Sequence, residues 1–445
     1  MSLLRSLPKI DKLMAHDAFA SFNPTRLAPC VKAAVEALRQ GILEGTVTHI
    51  DEEVLVQEIC THMQESLAPS LVPLVNTTGV IVHTNLGRSC LSPVLLARAT
   101  AALTHYTNLE YDVQKGRRGE RYAHVSRHLR ELLGVEDVLV VNNNASAVFL
   151  ILNTFAKGKE TIVSRGELVE IGGSFRVPEV MSNSGTTLVE VGATNKTRLR
   201  DYTNALSEHT AMLMKVHRSN FSIEGFSEEA SLEELVGLAK EKGVLDYYDL
   251  GSAYLADLPY GLSHAEPSLP KLLAHGPSLV SFSGDKLFGG VQAGIIVGKK
   301  ALIDRLKKNQ LLRMLRVDKL TLCLLEETVK AYLGGETHLI PTLDLLLRDE
   351  ASLETLAKKL RRQIGAEKCD IVHSQTYVGG GTMPNRPIPT VALHVKGEAT
   401  ALERRFRERH VIGRIERDRF LLDLRALLKE DEKPLVEICK KVLNS

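Results

Sequence analysis

The stretch Ser281-Phe-Ser-Gly-Asp-Lys-Leu-Phe-Gly-Gly-Val-Gln-Ala-Gly294 decides how the rest of this chain is interpreted. A strand-like run leads into it, and the apolar run Ile295-Ile-Val297 leads out of it. Lys286 is therefore predicted to lie on a turn between two strands. The glycines around it allow backbone to approach a bulky bound group closely. A lysine amine made nucleophilic by burial or by a cationic neighbour can form a covalent bond to a carbonyl carbon.

Two interpretations of this turn stay open at this point. With the hydroxyl of Ser283 placed to bind a phosphate, Lys286 has the arrangement expected of a lysine that carries pyridoxal phosphate (PLP). The alternative is an exposed lysine on an ordinary glycine-rich hairpin, because short motifs of this kind often arise by chance. The rest of the sequence is needed to decide between them.

Length and composition set broad limits. A chain of 445 residues suggests two or three domains, and a net charge of +2 does not by itself announce a nucleic-acid partner. The six cysteines are scattered and the fifteen histidines lack ligand spacing, so we expect no disulfide framework, no metal and a reducing cytoplasm. No apolar run approaches the roughly 18 residues of a membrane span, and the first residues lack a signal-peptide pattern.

Residues 93–330 alternate short apolar runs with amphipathic segments. This pattern predicts an α/β fold with a mostly parallel sheet covered by helices on both faces. The predicted strands are 137–141, 160–164, 187–191, 211–216, 244–249 and 278–283, and the predicted helices are 93–104, 119–133, 144–156, 200–206, 231–242 and 301–309. Ligands of such folds bind beyond the carboxyl ends of the strands, so the loops after the strands are the candidate sites.

Three such loops carry informative residues. In the loop after 137–141, Ala145 and Ser146 open a helix whose N-terminus is predicted to hold a phosphate, although an ordinary asparagine cap explains the same pattern. Asp249 ends a strand and is the candidate partner of the PLP pyridine nitrogen; a turn-capping aspartate is the alternative. His217 and Asn220 follow another strand and are candidates to contact the cofactor ring, or are residues of a polar surface loop.

Three arginines form a candidate anion site. Arg88 lies on a loop near the start of the α/β region, and Arg313 and Arg316 are spaced to share one face of a helix. Arginine forks suit phosphate and other oxyanions. A surface salt bridge and a solvated basic helix face are the alternatives.

The pattern divides the chain into three predicted domains. Residues 1–70 show helical periodicity and several basic residues, and residues 71–338 contain the α/β pattern with Lys286. Residues 339–445 are predicted to form a small α+β domain, with strands near 369–375 and 389–396 and a loop at the glycines 379–381 and the prolines that follow them, Pro384, Pro387 and Pro389.

Long blocks of the sequence resemble a known family, the bacterial L-seryl-tRNA(Sec) selenium transferases, or selenocysteine synthases. These are PLP enzymes of the aspartate aminotransferase-like fold type I. The blocks that carry the resemblance are NTTGVIVHTNLGR (76–88), NLEYDVQKGRRGERYAHV (108–125), VVNNNASAV (140–148), SRGELVEIGGSFRVPEVM (164–181), KVHRSN (215–220), DLGS (249–252), FSGDKLFGGVQAGIIVGKK (282–300) and LRVDKLTL (315–322). Weaker matches extend through 378–390 and 411–425.

The resemblance implies roles for individual residues. It implies that Lys286 carries the PLP, that Asp285 takes part in the chemistry, and that Arg88, Arg313 and Arg316 hold the selenium donor, selenophosphate. It also implies that the N-terminal domain grips the selenocysteine tRNA charged with serine. The enzyme is expected to be a homodecamer built from five dimers, with each active site between the subunits of a dimer.

The expected reaction converts seryl-tRNA to selenocysteinyl-tRNA. The serine hydroxyl is eliminated through an aminoacrylyl intermediate, and selenium then adds to the β-carbon, with Lys286 or Asp285 taking the α-proton. One alternative is a PLP enzyme that acts on a small free amino acid or sugar acid, such as a desulfurase or a lyase. Another is a tRNA-binding scaffold without catalysis, which would need neither Lys286 nor Asp249.

Overall fold

The computed structural model describes residues 2–171, 175–223, 225–265 and 268–444. It separates into two compact units, Met1–Pro73 and Leu74–Ser445. No helix of the described residues is long and apolar enough to cross a membrane. Within the same residues, no three His, Cys, Asp or Glu side chains cluster as metal ligands would. All six cysteines are free thiols.

The first unit is helical. Its helices are α1 (Ser2–Arg5), α2 (Ile10–Met14), α3 (Pro24–Leu43) and α4 (Glu52–Glu65). The carboxylate of Asp51 accepts hydrogen bonds from the first turn of α4, which fixes where that helix starts. The segment is less basic than the sequence pattern suggested, because its six Lys and Arg residues are outnumbered by nine Asp and Glu. The basic residues lie on or next to α1–α3, whereas α4 is acidic.

The second unit is built on a seven-stranded sheet. Its strands are β1 (Asp137–Val141), β2 (Glu160–Ser164), β3 (Thr187–Val191), β4 (Thr210–Val216), β5 (Leu245–Ser252), β6 (Leu279–Ser283) and β7 (Gly294–Gly298). The spatial order is β1-β7-β6-β5-β4-β2-β3, and β7 alone runs antiparallel to its neighbours. The predicted α/β fold with a mostly parallel sheet is confirmed, with strand boundaries within about three residues of the predicted ones.

Both faces of this sheet are buried. Along β1, Val138 and Val140 pack into one core cluster, and Leu139 and Val141 pack into the other. This alternation follows from the two-residue period of a strand.

The helices of the second unit are α5 (Pro93–Thr104), α6 (Ala123–Leu133), α7 (Asn144–Phe155), α8 (Val177–Ser184), α9 (Leu199–Ala205), α10 (Leu232–Lys242), α11 (Leu262–Ala265), α12 (Leu269–Leu273), α13 (Lys300–Lys308), α14 (Leu312–Leu315), α15 (Lys319–Leu333), α16 (Pro341–Leu347), α17 (Glu350–Ile364), α18 (Ala399–Arg407) and α19 (Glu432–Asn444).

Residues 369–423 contain a four-stranded antiparallel sheet. Its strands are β8 (Cys369–Gly379), β9 (Thr382–Val395), β10 (Arg414–Glu416) and β11 (Arg419–Asp423), in the order β8-β9-β11-β10. Helices α17, α18 and α19 contribute to its apolar core. Three further pairs of two-residue strands lie elsewhere in the second unit: Val75–Asn76 with Val411–Ile412, Tyr111–Asp112 with Arg117–Arg118, and Glu170–Ile171 with Phe175–Arg176.

The predicted loop at the glycines 379–381 and the following prolines is confirmed only at Gly380 and Gly381, which form a tight turn; its extension over the prolines is wrong. The chain instead forms a long β8–β9 hairpin, in which Pro387 pairs with Tyr377 and Pro389 pairs with Gln375. The other neighbour, β11, pairs with β9 only from Ala392 onward in the described register. A strand with a partner on one side tolerates prolines, because their missing N–H groups are not needed on the open side. The side chains of Pro384 and Asn385 lie outside the described residues.

The shared helix predicted for Arg313 and Arg316 is also wrong. Helix α14 ends at Leu315, and Arg316 has an extended backbone with φ −70° and ψ 144°. The cause is a contact with the end of β1. The N–H of Asn142 donates to the carbonyl of Leu315 at 2.9 Å, and Arg316 forms an isolated bridge with Val141. This pairing pulls the chain out of the helix after one turn.

Adding a methyl group at two glycines tests how tightly β7 is packed, because Gly294 of β7 has no free space and Gly237 of α10 does. A Cβ on Gly294 would lie 2.1 Å from the carbonyl oxygen of Asn143, which is backbone and cannot rotate away. We expect Gly294→Ala to destabilise the second unit by about 2 kcal/mol, as overpacking does. In α10, a Cβ on Gly237 meets nothing within 4 Å, so Gly237→Ala should stabilise its helix by up to about 1 kcal/mol. Thermal unfolding of both variants measures the difference, and equal midpoints would contradict this packing.

Candidate active site

One cavity lies at the carboxyl ends of the sheet strands, where the fold predicts a site. It has a volume of about 230 Å³. The ends of β1, β4, β5 and β6 and the turn before β7 supply most of its lining. The lining residues are Arg88, Asn143, Asn144, Ala145, Val216, His217, Ser219, Asp249, Gly251, Ser283, Lys286 and Gln292. Seven predicted site residues are therefore brought together here: Arg88, Ala145, His217, Asp249, Ser283, Lys286 and, through its contact with Arg88, Asp285.

Lys286 lies on the tight connection between β6 and β7. The N–H of Gly284 donates to Ala293, and the N–H of Gly290 donates back to Gly284, both at 2.8 Å. Lys286 is only 7% exposed, and its Nζ donates to the carbonyl of Gly381 at 3.2 Å. The alternative of an exposed lysine on an ordinary hairpin is therefore excluded.

Asp249 is a buried carboxylate near the carboxyl end of β5, which continues for three residues beyond the predicted strand end, to Ser252. Its Oδ1 accepts a hydrogen bond from Nδ2 of Asn144 at 2.7 Å and one from the N–H of Gly251 at 3.2 Å. Burial raises the pKa of Asp249, while the Asn144 hydrogen bond and the charge of Lys286 act in the opposite direction. The carboxylate is thus held in a dry site by an amide donor and a nearby cation.

The loop after β4 places its two predicted residues differently. The N–H of His217 donates to the carbonyl of Asp249 at 2.8 Å, which extends the β4–β5 pairing and sets the His217 side chain on the cavity wall. Asn220 is not among the lining residues. Its Nδ2 donates to the carbonyl of Glu170 at 2.8 Å, so it ties this loop to a neighbouring segment.

In the loop after β1, which is predicted to bind a phosphate, the alternative of an ordinary asparagine cap is also present. Asn143 caps α7 by accepting a hydrogen bond from the N–H of Ser146 at 2.8 Å. That N–H is therefore engaged within the protein, and Ser146 is not among the cavity-lining residues. Ala145 does line the cavity, at the N-terminal end of a twelve-residue helix whose dipole favours an anion.

Arg88 and Asp285 form an ion pair at the cavity. Nη1 of Arg88 donates to Oδ2 of Asp285 at 2.9 Å, and the Asp285 side chain is only 9% exposed. Arg88 has a left-handed backbone with φ +63°, an uncommon conformation for a residue other than glycine. The carbonyl of Asp285 accepts the N–H of Ser89, so side chain and backbone both link this loop to the lysine turn.

Arg316 lines a second cavity, apart from Arg88. That cavity is bordered by Glu110, Arg118, Gly119, Glu120, Arg121, Tyr122, Lys307 and Arg316. Arg121 lowers the pKa of Glu110 by a hydrogen bond and by its charge, and Arg118 and Arg316 contribute to the same shift. Arg313 is exposed on α14 and lines neither cavity. One chain therefore does not gather the three predicted arginines on one cavity.

The residues of the first cavity fit PLP. Two buried polar atoms on its wall, Oδ1 of Asn144 and Oγ of Ser219, have no hydrogen-bond partner among the described residues. A polar ligand would satisfy them, and buried polar groups are costly otherwise. The wall also offers the Lys286 amine, the Asp249 carboxylate and the Ser283 hydroxyl, which match the aldehyde, ring nitrogen and phosphate of PLP.

Sequence reasoning missed several residues of this site. Asn144 belongs to the quoted loop, but only the fold shows that it reaches Asp249, which is 105 residues away. Ser219 lies next to Asn220, and Gln292 lies in the glycine-rich stretch that contains Lys286, but neither has a spacing that marks it as a site residue. Gly381 comes from the hairpin that was predicted as a loop, so no local signal could have placed it beside Lys286.

The sequence also matches known proteins. The model of the L-seryl-tRNA selenium transferase family matches residues 74–428. The chain belongs to this family. The predicted family is therefore confirmed.

Relatives cover the full length of the chain. A protein of Nautilia profundicola named L-seryl-tRNA(Sec) selenium transferase is 55% identical over 100% of this chain and 98% of its own length. A protein of the same name from Aliarcobacter butzleri is 53% identical over 100% of both chains.

The fold has a counterpart among solved structures. A D-glucosaminate-6-phosphate ammonia-lyase has a TM-score of 0.61 with this structure, at 18% identity, over 86% of this chain and 98% of the other. At that identity the likeness concerns the fold alone. It agrees with the predicted fold class, an α/β aspartate aminotransferase-like domain, which is confirmed.

The Asn144–Asp249 hydrogen bond gives a pH-dependent prediction. Replacing Asn144 by Leu removes a donor that stabilises the charged carboxylate, so the pKa of Asp249 should rise further and less carboxylate should face the PLP ring at neutral pH. A hydrogen bond to a charged group contributes roughly 1.5 kcal/mol, so PLP affinity at pH 7 should fall by about tenfold. The loss should grow as the pH is lowered. Absorbance titrations with PLP at several pH values measure it.

Gln292→Leu is the matched control for that titration. Gln292 lines the same cavity and takes no part in the hydrogen bond between Asn144 and Asp249. Its variant should keep the pH dependence of the parent protein. If both variants lose affinity with the same pH dependence, Asn144 does not act through Asp249.

Proposed function

We propose that this chain converts L-seryl-tRNA(Sec) to L-selenocysteinyl-tRNA(Sec) with PLP as cofactor and selenophosphate as selenium donor. The carrying observation is the cavity in which Lys286 and Asp249 are buried together, in a chain whose full-length relatives bear the name of this activity. Bound PLP supplies an electron sink for a carbanion at the substrate α-carbon.

Asp249 is the residue that tunes the cofactor. A carboxylate against the pyridine nitrogen favours the protonated ring, which attracts electrons more strongly. Its hydrogen bonds from Asn144 and Gly251 favour the charged form and oppose the effect of burial, which raises its pKa. Ser283 and Ala145 are the proposed phosphate contacts, and His217 is the proposed contact of the ring.

Lys286 is the proposed base for the α-proton. It lies on the cavity wall in a buried turn. Its amine therefore stays close to the substrate when it is not covalently bound to the cofactor. Asp285 is the alternative base in the predicted scheme, but its carboxylate is engaged by Arg88. We therefore assign Asp285 the role of orienting Arg88 and leave proton transfer to Lys286.

Arg88 is the proposed contact of selenophosphate on this chain. Its guanidinium borders the cavity, and its side chain remains 38% exposed despite the ion pair. Arginine binds phosphate oxygens and can stabilise charge on the departing phosphate. Arg313 and Arg316 are proposed to act in the same donor site. Because Arg316 lines a separate cavity, a second copy of the chain is the simplest way to bring these arginines together.

The tRNA and the assembly state are further parts of this proposal. We propose that residues 1–70 bind the selenocysteine tRNA through the basic side chains on and around α1–α3, namely Arg5, Lys9, Lys12, Arg26, Lys32 and Arg39. Residues 71–338 and 339–445 are the proposed catalytic and small domains. The enzyme is proposed to act in the cytoplasm as a homodecamer of five dimers.

The cysteines argue against a desulfurase. Such an enzyme needs a reactive thiolate, which a lowered pKa provides. Burial instead raises the pKa of the Cys323 thiol, and it does the same for Cys369. Neither residue lines the cavity of Lys286.

Transfer of labelled selenium to seryl-tRNA(Sec) tests the function directly. The parent protein should label the tRNA-bound residue and leave free serine unlabelled. Lys286→Ala should abolish labelling, because both the covalent anchor and the base are lost. Lys300→Ala, an exposed lysine on α13 that pairs with Asp304, should retain it. A parent protein that labels neither substrate, but whose PLP absorbance responds to a free amino acid, would refute this proposal.

Arg88→Ala tests the donor site. Loss of an arginine–phosphate contact should raise the KM for selenophosphate by at least about tenfold, while the visible absorbance of bound PLP is kept. Arg200→Ala removes an exposed arginine from α9 and should change neither quantity. If Arg88→Ala loses the PLP absorbance, Arg88 serves the cofactor and not the selenium donor.

A further inference from the structure

The β8–β9 hairpin reaches from the antiparallel sheet into the active site. Its tip consists of Gly380 and Gly381, which connect the two strands, and of Thr382, the first residue of β9. The carbonyl of Gly381 accepts the hydrogen bond from Lys286 Nζ at 3.2 Å. A residue 95 positions beyond the lysine thus contacts its reactive atom.

The tip is fixed in place by buried contacts. The hydroxyl of Thr382, which is 0% exposed, donates to Oγ of Ser252 at 2.7 Å. Ser252 ends β5, three residues after Asp249. On the other side, the N–H of Val82 donates to Val378 at 2.8 Å, and a Cβ on Gly379 would lie 2.3 Å from the carbonyl oxygen of Val82.

The hairpin also packs against the lysine turn. Val378, Met383 and Ile388 share one apolar cluster with Leu287, the residue that follows Lys286. The position of the turn and the position of the hairpin tip are therefore coupled. A displacement of the tip would move the Gly381 carbonyl relative to Lys286 Nζ.

We infer that the tip of the β8–β9 hairpin is a positioning element for Lys286, with the Gly381 carbonyl holding the amine whenever the lysine is not covalently engaged. A lysine that accepts a proton becomes a buried ammonium, which is costly unless an acceptor meets it. The Gly381 carbonyl is such an acceptor within reach of the cavity. This inference rests on the proposed role of Lys286 as PLP anchor and base.

The structure offers a matched pair of variants at adjacent positions. Gly381 has φ +80°, which strains any side chain, and a Cβ there would lie 3.6 Å from Lys286 Nζ. Gly380 lies outside the left-handed region, and its nearest contact would be Thr84 at an ordinary 3.4 Å. Gly381→Ala should therefore displace the carbonyl, and Gly380→Ala should not.

Two measurements on the full-length protein test the inference. The first is the rate at which added PLP develops its visible absorbance on the protein, which reports covalent engagement of Lys286. The second is kcat and KM for seryl-tRNA(Sec) as a function of pH. Small displacements of a reacting group cost large factors in rate. We expect Gly381→Ala to slow PLP engagement and to lower kcat, each by about tenfold or more, with KM within about twofold of the parent.

Gly380→Ala should stay within about twofold of the parent in both measurements. Thr382→Val, which loses the hydroxyl contact with Ser252, should lower kcat and alter its pH profile, and Thr382→Ser should restore both. If Gly381→Ala does not fold, the comparison of Thr382→Val with Thr382→Ser still tests the inference. The inference is overturned if Gly381→Ala matches Gly380→Ala, or if Thr382→Val keeps the parent profile.

The two hypotheses fail in different ways. If the parent protein does not transfer selenium, the proposed function fails, yet the rate of PLP engagement still tests the hairpin. If the parent transfers selenium and the variants engage PLP at the parent rate with parent kcat, only the hairpin inference fails.

Discussion

The burial of Lys286 is the constraint on which the rest of the site depends. A lysine that is 7% exposed is unfavourable unless hydrogen-bond acceptors and opposite charge lie close to it. The fold supplies an acceptor in the Gly381 carbonyl and a buried carboxylate in Asp249. In exchange, the dry surroundings strengthen every electrostatic interaction that the amine makes. The same burial that costs stability therefore makes the residue useful for chemistry.

The architecture of the sheet explains why the polar residues meet. Parallel strands bring their carboxyl ends to one edge, and β1, β4, β5 and β6 each place a polar or small residue there. The antiparallel strand β7 lies between β1 and β6, so the turn that enters it crosses this edge. Lys286 is on that turn. Close packing of β7 against the loop of Asn143 leaves room only for glycine at position 294.

The antiparallel sheet at the end of the chain is part of the same machinery. Its hairpin supplies the carbonyl at Lys286, and its strand β11 is tied to the start of the second unit through the N–H of Asp423, which donates to Thr77. Arg425, which is fully buried, donates to the carbonyls of Leu345, Arg348 and Pro389. These contacts anchor the antiparallel sheet to the start of the second unit and to α16, and the hydrogen bond from Thr382 to Ser252 joins its hairpin to β5 of the larger sheet.

The sequence by itself determined the α/β pattern, the position of Lys286 between two strands, and the position of Asp249 close to the carboxyl end of a strand. These features follow from local periodicity and from glycines, which act over a few residues. Predictions from the sequence were wrong where contacts with distant segments override the local conformational preference of the chain. The end of β1 pulls Arg316 out of a helix, and a one-sided strand partner allows prolines in β9. Only the tertiary structure decided that Asn144 reaches Asp249 and that Gly381 reaches Lys286, because these contacts join residues about a hundred positions apart, and no local rule connects them.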